Sequence, residues 1–565
     1  MIDTPPLRMY RRRYALVKHV GPKSRTGLIK LRFSRDLAAF RTKCDFRNGD
    51  CDECPDQTNF DTLTRQGRKL HEFAMTDDAK AKRTRQLHEY HAQVLRKAIL
   101  GKESAIEIAV SIPAAANSPQ NETHGKPMNQ NDAHHDEKIR VLILAEACNS
   151  KWSSVPLVGY NQIQALARRR DLEVTLVTHI RNRESFLDDP IVPLLKGLEF
   201  IDSDRIARPM YRLGQLLRGG KSLGWTTNMA LAWPGYVYFE YLVWKRFGAA
   251  IRDRKFDLIH RVTPVSPTLP SPIAGWSPVP FVVGPLNGGL AWPKEFPELK
   301  KGEREWLIPL RRAYRRLPWH TKMRRSAAMI LAGSRSTAAE MEDVSPDRLK
   351  YMPENGFDFR LLEGVDTCRD ELSRGDRPLK LISVARLVPY KALDIAMEAL
   401  AGCRKSWSQW TIVGDGPLRE SLERKAEELG IADRIVWTGW VEQKEVIRKL
   451  VEADVLVQPS LREFGGGAVL EAMACGTVPL IVDYGGPAEL VAPGTGITLP
   501  MAPRAELVRS SKTAIEELQR NKSQLSEMSA AAIRHVREHL TWEAKAGELA
   551  SSYQRLTAAN RDRSH

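Results

Sequence analysis

Glu463 and Glu471 bracket three consecutive glycines in the segment Glu463-Phe-Gly465-Gly466-Gly467-Ala-Val-Leu-Glu471. The run Leu456-Val-Gln-Pro-Ser460 precedes it, so the pattern predicts a strand, a glycine turn and a helix. Glycines bring backbone amides close to an anion at a helix N-terminus, because no side chain stands in the way. Each carboxylate can accept two hydrogen bonds, which suits the vicinal hydroxyls of a sugar or a ribose. Upstream, Ser383-Val-Ala-Arg386-Leu-Val-Pro-Tyr-Lys391 puts two cations on a loop after another strand. Two cations there would neutralise a diphosphate whose negative charge grows as a bond to it breaks. A third element, Val413-Gly414-Asp415-Gly416-Pro417, reads as a tight strand-to-helix turn.

These residues need a frame that brings several strand ends together. From Leu379 to Val482 the sequence alternates apolar runs of strand length with helical patterns, beginning with the strand Leu379–Val384 and the helix Leu393–Leu400. Lys138–Ala145, a helix over Tyr160–Arg169 and Leu172–Thr178 make an earlier strand-helix-strand unit. Phe256–His260, Pro280–Gly284 and Ala328–Ala332 are later strands of the same sheet. Such alternation predicts two consecutive doubly wound domains with parallel sheets, and ligands at the carboxyl ends of the strands. Ahead of them, the stretch 113–136 is almost free of apolar residues and reads as a disordered linker. Met128 lies inside it, so the residues before it are either an appended module or an upstream start.

With 565 residues the chain is too long for one core, and 42% hydrophobic and 27% charged residues are ordinary for a globular protein. A net charge of +17 fits an acidic partner: nucleic acid, an anionic lipid surface or a phosphorylated substrate. No run of about eighteen apolar residues predicts a bilayer span. The nearest, Trp225–Ala250, is broken by Pro234, Glu240, Lys245 and Arg246. The first residues lack the apolar core of a signal peptide, and seven cysteines are an odd, sparse set. Both features point to a reducing, cytoplasmic location.

In order and spacing, Arg386 with Lys391, Gly414 through Pro417, and Glu463 through Gly476 resemble the family-4 retaining glycosyltransferases of the GT-B fold (glycosyl transferases group 1), over about Leu379 to Leu499. The resemblance implies an α/β chain with two Rossmann-like domains facing across a cleft. Residues 1–137 would be a basic extension and linker, 138–355 the acceptor-side domain and 356–538 the nucleotide-sugar domain, with 539–565 a helix returning to the first domain. It implies that Arg386 and Lys391 hold the donor diphosphate, Glu471 the ribose and Glu463 hydroxyls of the transferred sugar. The amides around Gly465, Gly466 and Gly467 would line phosphate and sugar, beside Gly414, Asp415 and Gly416, with the base near Trp440 and Val441. His260, at the end of its strand, resembles the histidine that faces the donor sugar. Gly284-Pro-Leu-Asn-Gly-Gly289 resembles a cleft-facing loop of some bacterial members. Two departures stand out: Val158-Gly159, with Gly159 expected to bind the donor, stands for the usual Gly-Gly pair, and Pro353-Glu-Asn-Gly356 replaces Pro-Asn-Gly.

The expected partners are a nucleotide sugar as co-substrate and a glycan, lipid-linked or polysaccharide acceptor. Neither a catalytic metal nor nucleic acid is expected. Arg304–Arg325 carries eight Lys/Arg and one acid with aromatic residues between them, which suits peripheral attachment to an anionic inner membrane face. Asp202-Ser-Asp204 matches a metal-holding carboxylate pair but lies in a poorly patterned stretch. Cys44, Cys51 and Cys54, with His71, lack the second C-x-x-C pair of a zinc ribbon, so free thiols are expected. The alternatives are a phosphorylase or epimerase on the same fold, and a basic membrane- or nucleic-acid-binding protein with a degenerate site. No motif for a lysine-bound pyridoxal accompanies the first, and a binder has no use for Glu463, Glu471, Arg386 and Lys391 together.

Overall fold

The computed structural model describes residues 27–30, 107–110, 138–218, 225–302, 318–365 and 377–562. Strands β1 (Gly27–Lys30) and β2 (Glu107–Val110) pair antiparallel in a unit of their own, distinct from the unit that begins at Ala133. Cys44, Cys51, Cys54, His71 and the linker around Met128 lie outside the described residues.

The larger unit contains two parallel sheets. The first has seven strands in the order β5-β4-β3-β6-β7-β8-β9: β3 (Ile139–Ala145), β4 (Leu172–His179), β5 (Gly197–Ile201), β6 (Leu258–Thr263), β7 (Phe281–Leu286), β8 (Met329–Ala332) and β9 (Leu349–Tyr351). β3 lies between β4 and β6, with Ile143 opposite Leu176 on one side and His260 on the other. Val141 and Ile143 enter one core cluster while Leu142 and Leu144 enter the other. This is why β3 reads as an unbroken apolar run: a parallel strand is covered by helices on both faces. Each such side chain, fully buried, contributes about 1.5–3 kcal/mol.

The second sheet has six strands in the order β12-β11-β10-β13-β14-β15: β10 (Leu379–Val384), β11 (Trp407–Val413), β12 (Ile435–Gly439), β13 (Val455–Gln458), β14 (Val478–Val482) and β15 (Ile497–Leu499). Trp407 and Trp410 are both completely buried. Their indole N–H groups donate to the Leu400 carbonyl at 2.9 Å and to Ser383 Oγ at 3.0 Å, so neither large ring buries an unpaired donor. In each sheet the strand order reverses at one point, β3/β6 and β10/β13, where a crevice opens at the carboxyl ends.

The helices used below are α1 (Val155–Ala167), α2 (Asp204–Arg218), α3 (Trp225–Arg252), α4 (Gln443–Glu452), α5 (Gly467–Ala474), α6 (Lys522–His539) and α7 (Trp542–Asp562). α3 runs through Pro234 without a break, and no helix among the described residues is long and apolar enough to cross a membrane. The chain passes between the domains twice, side by side. Phe357 N donates to Leu540 O at 2.9 Å and Trp542 N to Phe357 O at 3.3 Å. Beyond the second crossing, α7 sends Leu549, Ala550 and Tyr553 into the first domain's core, the cluster that holds Val141 and Ile163.

Candidate functional site

β13 ends in the loop that opens α5. Gly466 caps this helix in the left-handed region, at φ 63° and ψ 31°, with no side-chain acceptor for the first amides. A Cβ on Gly466 would come within 2.9 Å of Pro487 Cα, and one on Gly465 within 2.2 Å of Glu354 Oε1. At Gly467 the nearest atom would be Asn355 Nδ2, 3.9 Å away. Gly466 is therefore demanded by its left-handed backbone and its packing on Pro487, Gly465 abuts the side chains of Glu354 and Asn355, and Gly467 leaves the helix start open to an anion. The three line a cleft of about 570 Å³ whose second-domain wall includes Gln443, Glu463 and Glu471. Ser150, Ser153, Ser154, Val158 and Asn161 supply the opposite wall.

The two carboxylates are held differently. Glu463 is paired with Lys391, Nζ to Oε2 at 2.6 Å, and both side chains are mostly covered, at 15% and 12% exposure. Lys391 closes the turn Pro389–Lys391, and Ala392 behind it takes a left-handed conformation at φ 51°. Glu471 accepts a hydrogen bond from Gln443 Nε2 at 2.6 Å. Burial against the cleft pushes the Glu471 carboxyl up to about 7, partly opposed by the Gln443 bond. It is thus a carboxylate poorly solvated by its surroundings and ready for hydrogen-bond donors from a ligand.

Arg386 is exposed on the loop after β10, outside the cleft lining. The turn Gly414-Asp415-Gly416 lies directly against that loop. Cβ atoms at Gly414 and Gly416 would come within 2.1 Å of Ala385 O and 2.5 Å of Leu387 O, and Leu387 N donates to Asp415 O at 3.0 Å. The turn supports the arginine loop and does not line the cleft. Trp440 is 79% exposed; Val441 is half-buried and, like Trp440, stands outside the lining, which Gln443 joins instead.

Two first-domain expectations are corrected. His260 is fully buried, and both ring nitrogens are taken within the fold: Nδ1 by Tyr553 Oη at 2.6 Å and Nε2 by Gly284 O at 2.8 Å. It ties α7 to β6 and β7 and does not face the cleft. Burial lowers its pKa to about 4. Gly159 is likewise buried inside α1, where a Cβ would strike Ala147 O at 2.7 Å and Thr263 Cγ2 at 2.9 Å, so it serves helix–strand packing.

His260→Ala is accordingly expected to lower unfolding free energy by about 2–4 kcal/mol, since two buried groups lose their partner. A folded-state pKa below the unfolded value of 6.5 means that the unfolded chain takes up the proton first. Stability from this group is present above about 6.5 and lost as pH falls towards 4, and His320, pushed down to about 3, acts in the same direction. Urea unfolding of wild type and variant at neutral and mildly acidic pH measures both effects, and the variant should show the shallower pH slope.

Three residues that sequence reasoning did not single out complete the site. Glu354 and Asn355 line the cleft from the first crossing. Burial raises the Glu354 pKa, while a bond from Asn287 and the Lys545 charge act against that rise. Lys545 of α7 is buried and donates to the carbonyls of Pro353 and Asn355. Burial brings its pKa down to about 7, against the attraction of Glu354 and Glu548. Their one signal in the sequence was the departure Pro353-Glu-Asn-Gly356.

Asp202 and Asp204 do meet a third potential ligand, His179. The Arg181 amide, however, donates to His179 Nδ1 at 3.1 Å. The ring proton is thereby left on Nε2, which lies 3.6 Å from Asp204 Oδ1 without a hydrogen-bond acceptor, and a protonated ring nitrogen does not ligate a metal. Arg208 also holds Asp204, at 2.6 Å.

Residues 365–535 match the family described as Glycosyl transferases group 1. A 2-deoxystreptamine N-acetyl-D-glucosaminyltransferase of Streptomyces fradiae is 36% identical over 123 residues, 22% of this chain and 29% of that protein. A GDP-mannose-dependent alpha-(1-6)-phosphatidylinositol monomannoside mannosyltransferase of Mycolicibacterium smegmatis is 29% identical over 192 residues, 32% of this chain and 49% of that protein. The chain thus spans less than half the length of these two curated relatives. Among solved structures, the sucrose-phosphate synthase of Thermosynechococcus elongatus is similar at a TM-score of 0.50 and 17% identity, covering 75% of this chain and 100% of that one. The two-domain architecture is that of the GT-B fold.

Proposed function

We propose that this chain is a retaining glycosyltransferase that moves a hexosyl unit from a nucleotide diphosphate sugar to a glycan, lipid-linked or polysaccharide acceptor. The observation that carries the reading is the placement of Glu471 and of Glu463, paired with Lys391, around the uncapped start of α5. Glu471 binds the ribose, Glu463 accepts from hydroxyls of the sugar, and Lys391 with the α5 amides takes the charge of the departing diphosphate. Arg386, free to swing from its exposed loop, joins them when the donor is bound. The acceptor enters against the first-domain wall of Ser150, Ser153, Ser154 and Asn161. Attack on the face that the leaving group vacates, assisted by that group, gives retention without a protein nucleophile. Charge on the diphosphate is met by Lys391, Arg386 and amides, so divalent metal is not required.

Calorimetry and slow hydrolysis across UDP-, GDP- and ADP-sugars, with and without a chelator, test this. One donor is expected to bind and to be hydrolysed equally in both conditions. Absence of binding by every donor would sink the proposal.

Peripheral attachment to an anionic membrane face belongs to the same reading. Residues 304–317 lie outside the described part of the chain, but Trp319 stacks on Trp233 with centroids 5.3 Å apart and keeps 41% exposure. The outward face of α2 presents Arg205, Arg208 and Arg212 with exposed Tyr211 and Leu213. Each cation near a surface of acidic lipid contributes about 1 kcal/mol. Arg205→Ala/Arg212→Ala is therefore expected to weaken sedimentation with phosphatidylserine vesicles at low salt by about tenfold or more.

A further inference from the structure

The chain that follows β7 leaves the first domain and lies on the second. Phe296 is buried in the second domain's core, in one cluster with Leu387 and Leu461. Leu290 covers Gly485, where a Cβ would come within 2.7 Å of Leu290 Cδ2. Arg462 Nε donates to Leu290 O at 3.2 Å, and its guanidinium stands 4.2 Å from the Trp292 ring centroid. Tyr484 Oη donates to Ala291 O at 3.0 Å. Asn287 stands at the base of this arm, buried, and its Nδ2 donates to Phe464 O at 3.0 Å. The arm is braced from its own side by Thr337, whose hydroxyl accepts from Gly288 N at 3.1 Å and donates to Gly288 O at 2.8 Å.

Three consecutive carbonyls of the glutamate loop are consequently fixed from three directions. Glu463 O accepts from Gly486 N at 3.1 Å within the second domain. Phe464 O accepts from Asn287 of the first domain, and Gly465 O from Asn355 Nδ2 of the crossing at 2.8 Å. Once these peptide planes are set, so is the direction in which the Glu463 side chain leaves the backbone towards Lys391. The middle bond is the one that the first domain supplies.

We infer that Asn287 is a positioning residue for the transferred sugar: the first domain reaches over the cleft and sets Glu463 through the Phe464 carbonyl. The inference rests on the donor-site reading above. It makes sugar recognition, but not nucleotide recognition, depend on contact between the domains, since Glu471 and Gln443 lie on α5 and α4 and receive nothing from the arm.

Affinities for UDP, GDP and ADP are to be compared with those for UDP-glucose, GDP-mannose and ADP-glucose, so that the increment due to the sugar is isolated. Asn287→Ala is expected to leave nucleotide affinity within about twofold, and to reduce the sugar increment and turnover by about tenfold to a hundredfold. Introduced into Glu463→Gln, the same substitution should cost clearly less turnover than it does in wild type, because Asn287 acts on the sugar through Glu463, while its further bond to the cleft-lining Glu354 accounts for the part that remains. Asn287→Asp, similar in size but turning lone pairs towards the Phe464 carbonyl, should be impaired at least as much as Asn287→Ala. Additive losses with Glu463→Gln, or equal losses for nucleotide and nucleotide sugar, would make Asn287 a general packing residue and overturn the inference. Wild type that binds nucleotides but gains nothing from the sugar overturns it too, whereas wild type that binds none of these compounds brings down the donor-site reading itself.

Discussion

Glu471→Ala is expected to weaken nucleotide binding by a factor on the order of a hundred to a thousand, as two hydrogen bonds from ribose hydroxyls to a charged acceptor are lost. The Gln443 amide, which now donates to Glu471 at 2.6 Å, is also left facing the cavity. Glu471→Gln keeps one acceptor oxygen and should fall between. The pH dependence separates this role from simple packing. Hydroxyl donors prefer the ionised carboxylate, and in the free protein burial holds Glu471 up at about 7. Binding then releases a proton, so affinity should be level above about 7.5 and fall about tenfold per unit below about 7. Glu471→Gln should abolish the slope. For the ligand-free fold the sign is opposite: stability from this group is complete below its unfolded value of 4.5 and is lost as pH rises through about 7. Calorimetry between pH 5.5 and 8 reads the first effect and urea unfolding the second. A flat affinity profile in wild type would remove Glu471 from the nucleotide.

What could be read before the fold was known follows burial. Strands β3 and β14 are covered on both faces and appear in the sequence as apolar runs, Val141–Ala145 and Val478–Val482, and β10 keeps most of that pattern around Lys380 and Ser383. In the larger unit the strands that the pattern missed are β5, β9 and β15, each at the edge of its sheet and only partly covered. An edge strand of three to five residues lacks that run, and nothing local distinguishes it from a loop. The same holds for the site. Glu463, Lys391, Glu471 and the glycines are local to two loops, so their types and spacing expose them. Asn287, Glu354 and Lys545 matter through contacts that span more than a hundred residues, such as Lys545 to Pro353 and Asn287 to Phe464, and no spacing encodes those. His260 shows the converse. Its place at a strand end invited a role in the cleft, but Tyr553, 293 positions away, takes one ring nitrogen.

Lys391 carries the second large effect, and its pairing with Glu463 makes the outcome specific. A cation beside a departing diphosphate acts mainly on the transition state, so Lys391→Ala should lower turnover by a factor on the order of a hundred to a thousand. It also strips Glu463 of its partner at 2.6 Å and leaves a mostly covered carboxylate facing the anionic donor. That repulsion, on the order of 1–4 kcal/mol between near charges, should weaken donor binding beyond the loss of the lysine itself. Lys391→Ala/Glu463→Gln removes the repulsion, so its donor affinity should exceed that of Lys391→Ala, although turnover stays low because the charge that meets the leaving group is still missing. Affinity thus recovers from single to double variant while turnover does not, which neither a packing defect nor general loss of fold produces. Equilibrium binding and single-turnover rates on wild type, both single variants and the double variant complete the cycle. Donor affinity in the double variant at or below that of Lys391→Ala would mean that the pair does not face the diphosphate, and Lys391 would then be a structural partner of Glu463 and nothing more.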